Sequence, residues 1–130
     1  MTRKIKTISL YLFCIYIIAV ILLCVIHTDN IPELPKYFLG IPIDKIAHMI
    51  MFLPFVILSY FAVMPTEKGI WRKLAVLSIT VLLGGIFAFS TERLQAMTGY
   101  RTYEISDMIA DVAGIALSTI IVLIHIIKTR

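Results

Sequence analysis

Four apolar stretches set the plan of this chain. Residues 8–26 and 74–91 carry no charge, residues 46–64 are interrupted only by His48, and residues 108–127 only by Asp111 and His125 among ionisable groups. A bilayer core of about 30 Å takes about 20 helical residues at a rise of about 1.5 Å each. The stretches therefore predict four transmembrane helices, the open-ended solution that satisfies every backbone group within lipid. The expected fold class is all-α, an integral membrane bundle of four transmembrane helices. No internal repeat or low-complexity tract divides it, so residues 1–130 read as a single domain.

The ends of these stretches sharpen the reading. The second helix should start near Asp44 and bend at Pro54, whose ring removes one backbone hydrogen bond and crowds the preceding turn. The third should run past Thr91, because stopping there would set Glu92 against the negative end of the helix dipole. Gly99 after Thr98 is the better stop, and Glu92 and Gln95 then share a face. Ser106 reads as an N-cap for the fourth helix. Gly84-Gly85 offers a close approach to another helix, and a homodimer through that face is one expectation. The first stretch follows Arg3, Lys4 and Lys6, is longer than a signal-peptide core, and has no small-residue cleavage site before His27, so a retained span is expected.

Composition agrees and adds little: 60% of residues are apolar, 15% are charged, and the mean hydropathy is +0.97. Charge adds more. The formal +4 splits by connection. The N-terminus, residues 65–73 and the tail hold Arg3, Lys4, Lys6, Lys68, Arg72, Lys73, Lys128 and Arg130 against Glu67, a sum of +7. The other side holds Lys36, Lys45, Arg93 and Arg101 against Asp29, Glu33, Asp44, Glu92, Glu104, Asp107 and Asp111, a sum of −3. Short basic loops stay in the cytoplasm. Both termini are thus expected to be cytoplasmic, in a multi-pass membrane protein. The positive charge marks topology and lipid contact, and no nucleic-acid partner is expected. Cys14 and Cys24, ten residues apart on one helix, are too distant to bridge.

The unusual polar residues then gather at the acidic side. Asp44, Lys45 and His48 open one helix, Glu92 and Gln95 close another, Arg101 follows, and Asp107 and Asp111 open the last. Asp44/His48 and Asp107/Asp111 are i, i+4 pairs, each with one group about 6 Å deeper than its partner. Plainer roles exist for most of them: Asp44 and Asp107 as first-turn acids, Lys45 reaching for headgroups, His48 as a packed, hydrogen-bonded histidine, Arg101 as a counter-ion. Asp111 is too deep for a cap, and an unpaired charge there is costly. A polar pocket that places His48, Glu92 and Asp111 within side-chain reach is the expectation.

The segments DKIAHMIMF and STERLQAMTGYRTYEISDMIADVAG resemble the VanZ-like membrane family, with Lys45, His48, Glu92, Gln95, Arg101, Asp107 and Gly114 at its pattern positions. The likeness covers roughly residues 44–118, and Asp111 stands where the pattern usually has Asn. The resemblance implies a fold and a polar outer face, and an association with teicoplanin-type glycopeptide resistance; it does not imply a defined reaction. Two functions follow. The first is a binding or resistance module for a glycopeptide antibiotic, a cell-wall precursor or an envelope partner. The second is a membrane enzyme on a lipid-linked envelope substrate, with His48, Glu92 and Asp107 as catalytic candidates. No nucleophile elbow, HExxH, phosphate-binding Gly loop or CxxC is present. No cofactor and no metal site are expected from the motifs, and a transporter is disfavoured by the lack of an ionisable group at mid-membrane.

Overall fold

The computed structural model describes residues 2–26, 37–66, 69–99 and 103–130. Four helices carry the chain: α1 (Thr2–Val25), α2 (Ile43–Val63), α3 (Ile70–Met97) and α4 (Ile105–Lys128). All four are long and apolar enough to cross a membrane. The chain is a four-helix, multi-pass membrane bundle.

The helix ends follow local chemistry. α3 does continue through Glu92 and Gln95, and Thr98 closes it with its N–H directed back to the carbonyls of the last turn. Gly99 then takes φ +75°, a left-handed turn that glycine adopts without a Cβ clash. Pro54 lies inside α2, as expected. Ser106 is not the N-cap of α4. That position falls to Glu104, in extended conformation, and the Ser106 hydroxyl instead donates to Glu104 Oε2 at 3.3 Å. Two short strands, β1 (Tyr37–Phe38) and β2 (Ile41–Pro42), pair antiparallel just ahead of α2. Positive φ at Leu39 and Gly40 gives the tight turn that matches strand twist. Tyr37, Phe38 and Leu39 are all exposed, apolar side chains suited to the interface.

Packing is centred on α2 and α4, with α3 across both and α1 against α2. The buried positions of α4, Asp107, Ala110, Asp111, Gly114, Ile115, Ser118, Val122 and Ile126, recur at helical spacing on one face. Gly114 allows the crossing: a Cβ there would collide with the Met49 carbonyl and lie 3.3 Å from Phe52 Cβ. Gly84 does the same on α3, where a Cβ would come within 3.1 Å of Phe55. That close approach is made inside the chain, while Gly85 faces outward with nothing beside it. Phe52, Phe55, Val56 and Tyr60 of α2 fill the middle with Ile115, Val122 and Ile126. The buried hydroxyls of Ser59, Thr80, Thr91 and Ser118 each donate to a carbonyl of their own helix, which satisfies the donor in an apolar surround.

The bundle has two unlike ends. At one, Lys73 at the start of α3 reaches the Thr129 carbonyl after α4, and Lys6 and Arg72 line a groove with Val63, Met64 and Pro65. Both termini lie at this basic end. The acidic side chains of the described residues, Asp44, Glu92, Glu104, Asp107 and Asp111, lie at the other.

Candidate functional site

The N-termini of α2 and α4 and the C-terminal turns of α3 meet at the acidic end. Because α2 and α4 start side by side, residues at matching depth on each come into contact. Lys45 in the first turn of α2 extends its ammonium to α4, where Nζ donates to Asp107 Oδ1, to Glu104 Oε2 at 2.9 Å and to Asp44 Oδ2 at 3.3 Å. One cation therefore ties together three carboxylates. Its hydrogen bond and charge hold the Glu104 carboxyl below the usual glutamate range. Asp44 and Glu104 face the exterior, and Asp107 is buried.

One turn deeper stands His48, 3% exposed. Its Nδ1 lies 2.9 Å from Asp111 Oδ1 and 3.6 Å from Glu92 Oε1. Its Nε2 points the other way, 3.7 Å from Asp107 Oδ2 and 3.9 Å from Asp44 Oδ1, beyond hydrogen-bond reach of either. The ring thus stands between an inner pair, Asp111 and Glu92, and an outer pair, Asp107 and Asp44. An ionised carboxylate only accepts hydrogen bonds, so in the neutral ring Asp111 holds the hydrogen on Nδ1 and Nε2 is a lone pair toward the outer pair, whereas the imidazolium carries a hydrogen on both nitrogens. Among the described residues Nε2 and Asp111 Oδ2 have no hydrogen-bond partner.

The expected convergence of His48, Glu92 and Asp111 is present. Asp44, Lys45 and Asp107 join it directly. Gln95 lies one turn beyond Glu92 on the same buried face, and its Nε2 donates weakly to Cys24 Sγ at 3.7 Å. Arg101, the expected counter-ion to Glu92 or Asp107, lies outside the described residues. Three contributors were not anticipated. Glu104 passed for an ordinary loop acid, although its place three residues before Asp107 puts it on the same face. Cys24 and Tyr16 come from α1, whose pattern is aromatic and aliphatic all round. Tyr16 donates its hydroxyl to the Met51 carbonyl at 2.7 Å, in the turn before Pro54.

The sequence segments that build this end lie inside a longer likeness. A profile of the VanZ/LLP1 family matches residues 10–127. The chain belongs to the VanZ/LLP1 family. The match takes in α1 from its third turn through nearly the end of α4, so all four helices are part of the family unit and not only the two polar segments. Searches of curated proteins and of solved structures return no match. Among the described residues of this VanZ/LLP1 chain, the cluster best suited to acid–base or ligand chemistry is the His48 imidazole with the carboxylates around it, while the buried hydroxyls of Ser59, Thr80, Thr91 and Ser118 are bonded within their own helices.

Proposed function

We propose that this VanZ/LLP1 protein is an enzyme of the bacterial cell envelope that cleaves a lipid-linked substrate at the junction of lipid and polar head, with its site at the outer membrane–water boundary. One observation carries the reading: His48 is oriented through Nδ1 by buried Asp111 and presents Nε2 to Asp107 and Asp44. A carboxylate-oriented imidazole with its second nitrogen open is an arrangement for taking up and returning a cation or a proton. A buried ring nitrogen without a protein partner calls for an occupant, whether water, proton or ion. Water placed against Nε2 is prepared for attack, and its hydroxyl and proton end on the two fragments. Lys45 holds Asp107 and Asp44 in place, and Glu92 flanks the His48–Asp111 pair from α3. Positive-inside topology supports the outer placement, because the acidic end is opposite the basic loops.

The test uses the full chain in lipid nanodiscs with a radiolabelled polyprenyl-linked cell-wall precursor, and follows release of the water-soluble head. We expect release by the unaltered protein and a loss of about 100-fold or more in His48→Gln, within the usual range for removing an acid–base group. No release by the unaltered protein would overturn the reading.

A second reading is favoured by the acidic lining itself. Five carboxylates around Lys45 and His48 suit capture of a cationic group, as a module that binds a glycopeptide antibiotic or cell-wall precursor would need. If a sensitive host making the protein shows lowered teicoplanin susceptibility, and Glu92→Gln at equal membrane level abolishes it without any turnover of lipid substrate, this reading replaces the first.

A further inference from the structure

We infer that Asp44, His48 and Asp107 form a binding site for one divalent transition-metal ion, of the zinc or manganese class. The three residues each offer one atom, and these atoms lie within 4.8 Å of one another. His48 Nε2 lies 3.9 Å from Asp44 Oδ1 and 3.7 Å from Asp107 Oδ2, the facing atoms of the group.

The spacing fits a small ion after slight closure. Bonds of about 2.1 Å set neighbouring ligand atoms about 3.0–3.4 Å apart around a tetrahedral or octahedral centre. Closing the two gaps takes about 0.3–0.9 Å, part of it by Asp44, whose side chain is half exposed, and the rest by a small adjustment of His48 and Asp107. Burial shows that this is more than a surface cluster. His48 is 97% buried and its Nε2 has no hydrogen-bond partner among the described residues. In the neutral ring with Nδ1 donating to Asp111, Nε2 is a lone pair, and Asp44 Oδ1 and Asp107 Oδ2 beside it are acceptors too. A divalent cation satisfies all three.

The surroundings have the form of a ligand's support. Metal-bound histidine usually donates its other ring N–H to a carboxylate, which fixes the tautomer and the ring plane. Asp111 does this from α4 at 2.9 Å. Asp44 and Asp107 are held in turn by Lys45, which binds their opposite oxygens, Oδ2 of Asp44 and Oδ1 of Asp107, and so leaves the facing oxygens to the ion. Glu104 gives the ammonium a third anchor farther out. An imidazole with two carboxylates suits zinc, manganese or iron more than calcium or magnesium, which favour all-oxygen sets. Exposed Asp44 marks the path of entry from water.

With an ion bound, the Nε2 lone pair is taken and the ion would polarise the attacking water in its place; for that role the site rests on the enzyme reading above. As a binding site it stands without it, and the test reads binding alone. Protein carrying a tag without histidine is stripped with chelator in detergent, then titrated calorimetrically with Zn2+ and separately with Mn2+, with the unfolding midpoint as second readout. We expect one saturable equivalent per chain and a midpoint that rises with metal concentration. Asp44→Asn, at a half-exposed position, should keep the metal-free midpoint and weaken binding at least about tenfold. His48→Gln should abolish it. Asp111→Asn, which touches no ion here, should weaken it by about 10- to 100-fold, the usual effect of a supporting carboxylate. Equal binding by the unaltered protein, Asp44→Asn and His48→Gln overturns the site, as does no saturable binding below about 1 mM. Loss in Glu92→Gln and Asp111→Asn with Asp44→Asn unchanged also overturns it, because the ion then lies with the inner pair.

Discussion

Asp111 is fully buried, bonded through one oxygen to His48, and set where the VanZ-like pattern usually has Asn. An Asn side chain presents a carbonyl oxygen in nearly the same place, so the bond from His48 Nδ1 survives the exchange while the charge does not. Asp111→Asn is therefore expected to fold as well as the unaltered chain. Asp111→Leu removes the acceptor and strands a buried N–H, which costs about 1–3 kcal/mol. Unfolding of the three proteins in one detergent ranks them, and a Leu variant as stable as the Asn variant would refute the role given to this bond. Much of this was legible in the sequence, because i, i+4 spacing puts Asp111 one turn below Asp107 and His48 one turn below Asp44. The direction of the His48 ring was not. It depends on how α2 and α4 are rotated against each other, which helical period alone does not fix. Glu104 escaped notice for a related reason: a loop acid gains its meaning only when Lys45 arrives from another helix.

At the scale of the helix, the α2–α4 crossing depends on Gly114. A methyl group there meets a backbone carbonyl, which cannot rotate away as a side chain would. Gly114→Ala should separate the two helices and lower stability by about 1–3 kcal/mol, the range for overpacking. Gly85→Ala, on the outward face, should change stability by no more than about 0.5 kcal/mol in the destabilising direction. A comparison of their unfolding midpoints checks both, and equal loss in the two would contradict the packing described. The end of α3 at Gly99 was readable from dipole and glycine rules. The role of Gly84 was only half readable: the sequence marks a close approach, and Phe55 within the chain takes it up. The start of α4 was misplaced because Ser106 fits the composition of an N-cap, yet the extended backbone falls at Glu104 and puts Ser106 inside the helix.

For the whole molecule, the two ends differ in charge, and the site occupies the acidic one. We expect the basic end, with both termini, to face the cytoplasm. In intact cells lacking other reactive thiols, a membrane-impermeant thiol reagent should label Tyr103→Cys and leave Thr129→Cys untouched until the membrane is opened. The reverse pattern would place the site inside. The four spans and their order were plain from hydropathy, since lipid imposes length and composition on every span. The share of each span in the core was not. α1, the most apolar of the four, buries little beyond Ser9, Val20 and Cys24 and holds α2 through Tyr16. In lipid an apolar helix has no drive to hide from its surroundings.

On the proposed enzyme reading, the position of His48, one turn in from the helix ends, has a consequence for encounter with a lipid-linked substrate. Pulling a lipid tail into water costs about 0.8 kcal/mol per CH2, or about 16 kcal/mol for a twenty-carbon chain. A reactive group at headgroup depth spares a substrate that climb, because its tail stays among its neighbours while its head is engaged. Arrival then occurs by lateral diffusion in two dimensions. The quantity that governs saturation is the mole fraction of substrate in the leaflet, and diluting the suspension with buffer leaves it unchanged.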